Sequence, residues 1–221
     1  MVIFFVWNRN CVDIEVAPKV VQAAEAKAGK GVLFTPHMLC IMLAIVLQGM
    51  LRDGVTTWMP SYISETYNLS SIISILTGVV LPIFSIITFK LTAKLYRSKF
   101  TNPLTCAGVI FGVGMVSALA LVLCTGKSAA FSVLFSALLT AAMHGVNLML
   151  VCMLPAFFQK YGKVSTVSGV LNSCTYVGSA LSTYGIAVIS ETYNWSVTLV
   201  IWALIAALGT VICFAASRKQ L

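Results

Sequence analysis

The chain has 221 residues, of which 59% are hydrophobic and only 9% charged, and its formal net charge is +8. Soluble domains carry about 25% charged residues, so this composition excludes an ordinary soluble protein and indicates an integral membrane protein built from helices. The positive charge would suggest nucleic-acid binding in a soluble protein. Here lysines and arginines gathered on one side of a membrane explain it, and we expect no nucleic-acid partner.

The chain begins with two segments that are not expected to span a membrane by themselves. Residues 1–7 (MVIFFVW) are apolar but would be only about 10 Å long as a helix, which is too short to cross a bilayer. We interpret them as the end of a spanning helix whose beginning is missing; a short interfacial anchor is the alternative. Residues 8–35 are polar and mixed in charge, which predicts a cytoplasmic linker.

Six long apolar runs follow, and they predict an all-α membrane domain over residues 36–217 with a short cytoplasmic tail at residues 218–221. The predicted spans are His37–Ile63, Ile72–Tyr96, Pro103–Leu123, Ala129–Phe158, Ser165–Ser190 and Trp195–Ala216.

The distribution of lysine and arginine predicts the orientation of these spans. Twelve of the fourteen basic residues lie on one side, in the linker, the tail, the connections and the adjoining end of the second span, whereas Lys127 is the only one in a connection on the other side. Basic residues accumulate on the cytoplasmic side of membrane proteins. We therefore expect the linker and the C-terminus to be cytoplasmic, and the connections that carry Glu65 and Glu191 to lie outside.

The first span contains two full charges, Arg52 and Asp53, about 22 Å from its start at 1.5 Å per residue. An arginine near the centre of a bilayer costs at least about 2.5–3.5 kcal/mol, so it is expected to face a partner, water or a ligand. Asp53 would project about 100° away from Arg52 on a regular helix. Pro60 suggests that the helix is bent or broken beyond the charges.

The spans differ in polarity. The third and sixth are almost bare of polar groups and are interpreted as lipid-facing supports, with Gly108 and Gly112 at a spacing that allows close helix contact. In the second, fourth and fifth spans, polar residues recur at helical spacing and mark one face. Together with the first span, these faces predict half the wall of a water-filled cavity. The polar residues are Ser74, Thr77, Ser85, Thr88 and Thr92; Ser128, Ser132, Ser136, Thr140, His144 and Asn147; and Ser165, Ser168, Asn172, Tyr176, Ser179 and Thr183.

Seven of these positions are candidate substrate-binding residues. For Arg52 we favour anion binding over a structural pairing, because guanidinium stays charged and offers a bidentate fork. Asp53 is either a proton-coupling carboxylate or a counter-ion nearer the outer gate of the cavity. His144 either binds substrate or carries a proton, or it is a hydrogen-bonded packing residue. The remaining candidates line the cavity or make interhelical hydrogen bonds; they are Asn147, Asn172, Tyr176 and Ser179.

The chemistry of cysteine and histidine adds no further site. Six of the seven cysteines fall in or at the ends of apolar runs without paired spacing, and the two histidines belong to no metal motif. We predict no metal and no cofactor. The absence of a nucleophile–base pair or a phosphate-cradling loop in the sequence argues against an enzyme.

The chain resembles the C-terminal half, spans seven to twelve, of a twelve-helix major facilitator superfamily transporter. Residues 90–99 (KLTAKLYRSK) resemble the basic motif between spans eight and nine, although Ala93 stands where the family has an Asp. Residues 51–62 resemble span seven of the organophosphate:phosphate antiporters, the glycerol-3-phosphate and hexose-phosphate group. Residues 168–178 resemble its span eleven. In that group an arginine at the position of Arg52 binds the substrate phosphate.

The resemblance implies a secondary transporter of the bacterial inner membrane. It would move a small organic anion, such as a phosphate ester, by alternating access, with phosphate or a proton as the coupling ion. A missing N-terminal six-helix half would complete it. A membrane sensor that binds such an anion without moving it is the alternative.

Overall fold

A computed structural model describes residues 35–161 and 163–218, and within these residues every element is a helix. The predicted remnant of a span at residues 1–7 and the predicted linker, apart from Thr35, lie outside the described residues. So do the last three residues of the predicted tail.

Seven α-helices account for most of the described chain. The fifth continues directly into a π-helix, Leu148–Met153, and a 3₁₀-helix, Leu154–Tyr161. The α-helices are α1 Pro36–Tyr67, α2 Ser71–Gly78, α3 Val80–Lys99, α4 Pro103–Cys124, α5 Ala129–Asn147, α6 Val164–Thr192 and α7 Trp195–Ser217.

Five helical segments are long and apolar enough to cross a membrane, and they agree with five of the six predicted spans. They are α1, the α2–α3 segment, α4, the segment Ala129–Gln159 and α7. Helix α6 has 29 residues but is not among them. Its serines and threonines lower its mean hydropathy, so the sixth crossing stays a prediction.

Local signals set the helix ends. The Thr35 hydroxyl and the Asn102 carboxamide each accept a backbone N–H of the first turn, and Pro36 and Pro103 follow them at the first helical positions. Both arrangements satisfy or remove N–H groups that the helix itself cannot pair. Helix α1 ends at Asn68, which adopts a left-handed conformation with φ 52°. Asparagine tolerates that conformation better than most residues.

Helix α1 is the centre of the bundle and packs against α5, α6 and α7. Its contact with α6 is the closest, because glycines bring the two backbones together. A Cβ atom on Gly49 would collide with the Thr175 carbonyl, one on Gly178 would collide with the backbone of α1, and one on Gly54 would meet Ser182. Residue numbers rise together along this contact, so α1 and α6 run in the same direction.

The two apolar helices pack against each other on the outside of the bundle. A Cβ atom on Gly108 would lie 3.3 Å from the Phe214 ring, and one on Gly209 would collide with Phe111. The predicted close helix contact at Gly108 is therefore confirmed, and α7 is the partner. Valines and leucines on the outer faces of α4 and α7 are exposed, as expected for lipid-facing supports.

Three predicted spans show features of continuity that the apolar runs alone do not give. Helix α1 runs through Pro60 without a break, so the alternative that the first span is broken beyond Arg52 and Asp53 is wrong. The second span is interrupted at Val79, between α2 and α3. In the fourth span Pro155 has no backbone N–H to donate to the Val151 carbonyl four residues earlier. The Ser168 hydroxyl of α6 donates to that carbonyl instead, at 3.5 Å.

The polar faces point in different directions. On α6, Asn172, Tyr176 and Thr183 are exposed. The α5 residues Ser132 and Ser136 are fully buried, and the hydroxyls of the second span are largely buried as well. The prediction that all these faces line one cavity is therefore wrong for the buried hydroxyls. Helical spacing identifies a face but not its surroundings, and hydroxyl groups can bond within the bundle instead of to water.

Candidate functional site

Arg52 and Asp53 form an ion pair in the middle of α1. The Arg52 Nε atom donates to Asp53 Oδ1 at 2.6 Å, and Nη2 donates to Oδ2 at 2.8 Å. The side chains are 17% and 26% exposed. Successive Cα–Cβ bonds diverge by about 100°, yet the long arginine side chain turns back to its neighbour. Opposite charges inside a membrane protein commonly pair in this way.

Residues from α5 and α6 surround the pair. The Ser179 side chain of α6 interacts with the Asp53 carboxylate, and His144 of α5 is close enough to interact electrostatically with both charges. On the α1 side, the Thr56 hydroxyl donates to the Arg52 carbonyl at 2.6 Å. Three helices thus converge on one pair of charges.

His144 is held through one of its two ring nitrogens. Nδ1 donates to the Thr140 carbonyl at 2.9 Å and lies 3.2 Å from the Ser85 hydroxyl, while the edge of the ring meets Phe89. Because Nδ1 carries the proton in the neutral ring, Nε2 keeps its lone pair. No hydrogen bond to Nε2 occurs within the described residues. The ring is therefore anchored like a packing residue but keeps one nitrogen able to accept a proton.

Gln48 is a buried polar residue that the sequence interpretation passed over. It is fully buried one helical turn before Arg52, and its Nε2 donates to the Met143 carbonyl at 3.1 Å, which ties α1 to α5 beside His144. Its Oε1 has no hydrogen-bond partner among the residues that the structure describes. The signal was present: a glutamine four residues from an intramembrane arginine lies on the same helical face.

The remaining candidates lie away from the pair. Asn147 lies at the junction of α5 with the π-helix, and its buried Oδ1 has no partner. Asn172 and Tyr176 share the exposed face of α6 with Ser179, about two turns and one turn nearer the start of the helix. The structure therefore brings together Arg52, Asp53, His144 and Ser179. No comparable interaction joins the other three to the pair in the described part of the chain.

The charge balance of the pair determines what it can bind. Asp53 occupies Nε and one Nη2 hydrogen of the guanidinium, and the other donors of Arg52 have no hydrogen-bond partner in the described residues. An anion can use these donors, and it can replace Asp53, because carboxylate and phosphate accept the same bidentate fork. No group of three or more histidine, cysteine or acidic side chains in the described residues is able to hold a metal ion.

Comparison with known families identifies the architecture. The sequence model of the Major Facilitator Superfamily matches residues 1–183, most of the chain. The chain belongs to the major facilitator superfamily. Its members are transporters that carry small molecules across a lipid bilayer, and they are generally not enzymes. The apolar helices of this superfamily protein agree with a multi-pass membrane protein. A comparison with curated protein sequences gives no significant match.

Proposed function

We propose that this superfamily protein transports a small organic anion, such as a phosphate ester, and that Arg52 binds the anionic group. The observation that carries the proposal is a partly exposed guanidinium in the middle of a membrane helix, where α5 and α6 converge on it. Ionisable side chains inside membrane helices are costly, and they usually mark a binding site or a transport path. The sequence around Arg52 also resembles span seven of the organophosphate:phosphate antiporters.

Asp53 acts in this proposal as an internal stand-in for the substrate. Its two oxygens occupy the guanidinium fork as two phosphate oxygens would. An incoming anion displaces it, and protonation of Asp53 removes the competing charge. Binding is then coupled to a proton; exchange for inorganic phosphate at the same fork is the second form of coupling. His144, with Nε2 as a proton acceptor, is placed to take part.

The six predicted spans form one half-bundle in this proposal, and the exposed polar face of α6 lines the path opposite a second half-bundle. Alternating access then follows from rocking the two halves around the site. The basic residues at one end of the bundle favour a cytoplasmic C-terminus. The resemblance to the organophosphate:phosphate antiporters supports a bacterial inner membrane as the location.

The test measures binding of glycerol 3-phosphate and inorganic phosphate to the chain in lipid nanodiscs. Arg52→Ala should nearly abolish binding. Arg52→Lys keeps the charge without the fork and should weaken binding roughly ten- to more than a hundredfold, as expected for charged hydrogen bonds. Arg218→Ala, at an exposed arginine that follows the last residue of α7, is the control and should bind normally.

Asp53→Asn extends the test to coupling. Without the competing carboxylate, the anion should bind more tightly near neutral pH, and binding should lose the increase expected on acidification of the unaltered protein. If Arg52→Ala binds as well as the unaltered chain but unfolds at a lower temperature, Arg52 is structural and the proposal is wrong. Uptake into liposomes together with a complementary half distinguishes a transporter from a sensor.

A further inference from the structure

We propose that a groove between α3, α4 and α5 binds an anionic phospholipid, with an acyl chain in the groove and the headgroup on the basic end of α3. This site is separate from Arg52 and does not depend on the proposed substrate. We call it the lipid groove.

The lipid groove has a volume of about 510 Å³ and is almost entirely apolar. This volume is in the range of pockets that bind small molecules. It opens on the outside of the bundle, where α3 packs mainly against α5 and leaves much of its surface exposed. The groove is lined by Thr88, Leu91, Leu95, Ile110, Val113 and Leu138, among others.

A basic cavity adjoins the lipid groove at the end of α3. It has a volume of about 440 Å³ and is lined by Lys90, Lys94 and Arg97, which lie on one helical face at spacings of four and three residues. Lys94 and Ser98 line both the groove and this cavity, so the two are continuous. A chain in the groove would therefore have its headgroup among three cationic side chains.

Nothing acidic in the described residues neutralises this basic cavity. Only three acids are described, and Asp53 is paired with Arg52. Glu65 lies at the far end of α1 and accepts a hydrogen bond from Trp195. Glu191 lies at the corresponding end of α6, which runs parallel to α1. Uncompensated lysine and arginine between membrane helices favour an anionic headgroup.

The length of the groove matches a single lipid leaflet. Along α3 it extends from Thr88 to Ser98, about 15 Å at 1.5 Å per residue. The hydrocarbon core of a bilayer is about 30 Å thick, so one leaflet occupies about the same 15 Å. Lys94 and Arg97 lie toward the Ser98 end of the groove, and Lys90, about two turns before Ser98, has a long flexible side chain that can extend toward the headgroups. This geometry fits an acyl chain descending from the leaflet on the basic side.

The test is native mass spectrometry of the chain in detergent, titrated with phosphatidylglycerol and phosphatidylcholine that carry identical acyl chains. The unaltered chain should bind phosphatidylglycerol preferentially. Each basic residue near an anionic lipid strengthens binding about fivefold, so the triple variant Lys90→Gln/Lys94→Gln/Arg97→Gln should lose between about tenfold and a hundredfold of that preference. Lys127→Gln, which removes one exposed charge from the other end of the bundle, should keep it.

A second pair of variants tests the groove itself. Val113→Trp fills the groove from an exposed position and should reduce binding of both lipids at this site, whereas Val116→Trp on the same helix lies outside the groove and should not. Melting temperatures verify that all variants fold. Retention of the preference by the triple variant overturns the proposal. Equal lipid binding by the two tryptophan variants also overturns the proposal, because it would show that no acyl chain occupies the groove.

Discussion

The polar stripes of α5 and α6 have the same helical spacing but opposite surroundings. On α5, Ser132, Ser136 and Thr140 are at most 1% exposed. On α6, Tyr176 is 63% exposed, and Asn172 beside it is exposed as well. The two stripes meet near the Arg52–Asp53 pair, where His144 of α5 and Ser179 of α6 both interact with the charges. One stripe is therefore buried inside the bundle, where Ser132 joins α5 to α1, and the other is presented to the surroundings.

The chemistry of the side chains accounts for the difference. A serine or threonine hydroxyl can bond to a carbonyl of its own helix, as Ser85 does with Leu81 and Thr175 with Leu171. Such a group enters a protein interior at little cost. A carboxamide or a phenol is larger and needs partners from elsewhere or water. The most deeply buried members of the α5 stripe are hydroxyls, whereas the larger Asn172 and Tyr176 lie on the exposed face of α6.

Cysteine labelling gives the sharpest test of this comparison. In a background without native cysteines, Tyr176→Cys should react with a hydrophilic thiol reagent, because its face of α6 is exposed. Ser136→Cys should be protected, because Ser136 is fully buried. Reaction rates in nanodiscs, normalised to complete labelling in denaturant, measure both. Fast reaction at position 136, or protection at position 176, would contradict the arrangement described above.

The next largest effect is expected where α6 turns its inner face to α1. A Cβ atom on Gly178 would lie 3.0 Å from the Met50 nitrogen and closer still to the Val46 carbonyl, and a backbone cannot easily move away. Gly178→Ala should therefore lower the free energy of unfolding by about 1–3 kcal/mol.

Gly169 offers the matched control on the same helix. A Cβ atom there meets nothing within 4 Å, so Gly169→Ala should leave stability unchanged or raise it by roughly 0.5–1 kcal/mol through helix propensity. Thermal unfolding in detergent compares the two. Equal melting temperatures for both variants would show that α1 and α6 are not in close contact.

A smaller effect is expected at the buried stripe itself. The Ser132 hydroxyl accepts a hydrogen bond from the Tyr62 hydroxyl at 3.1 Å and lies 2.7 Å from that of Tyr67, so it joins α5 to α1. Interhelical hydrogen bonds in membrane proteins contribute about 0.6 kcal/mol on average, and Ser132→Ala should cost about 1 kcal/mol. Ser173→Ala should cost less, because the exposed Ser173 bonds only to Gly169 of its own helix. Chemical denaturation measures the free energy of unfolding of both variants, and equal losses of stability would contradict this prediction.

The smallest effect is expected at Gln48. Replacement by leucine removes its hydrogen bond to Met143 but also removes a buried oxygen that has no partner. The two contributions oppose each other, so Gln48→Leu should change the free energy of unfolding by less than about 1 kcal/mol. A loss of several kcal/mol in denaturant titrations would mean that the oxygen is satisfied in the membrane by a group such as water.

Much of the fold could be predicted from the sequence, because the apolar runs are long and the residues that begin helices are distinctive. Pro36 and Pro103 begin helices beside predicted boundaries, and the Gly108 contact was expected from spacing. The interruption at Val79 and the change from α-helix to π-helix after Asn147 leave no clear pattern in composition. They depend on how one helix packs against another.

The candidate site was predictable only in part. An arginine inside an apolar run is conspicuous, and His144, a candidate from the polar stripe of the fourth span, lies close enough to Arg52 to interact with it electrostatically. The pairing with Asp53 was not expected, because Cα–Cβ directions alone do not describe where a long flexible side chain ends. Helical spacing also could not show that Asn172 and Tyr176 lie about two turns and one turn away from Ser179 and the ion pair. That distance depends on the register between α1 and α6, which the close contacts at Gly49 and Gly178 set.

The adjacency of Arg52 and Asp53 has an electrical consequence. Two opposite charges on successive residues move as a unit with no net charge, so displacing them through a membrane potential requires almost no electrical work. When a monovalent anion binds while Asp53 stays ionised, it adds one uncompensated negative charge, and each 100 mV then contributes about 2.3 kcal/mol for its full passage. When Asp53 takes up a proton as the anion binds, the loaded site is neutral as well. In a carrier built around this pair, the empty return step would be nearly insensitive to voltage, and voltage dependence of the loaded step would distinguish binding without a proton from binding with one.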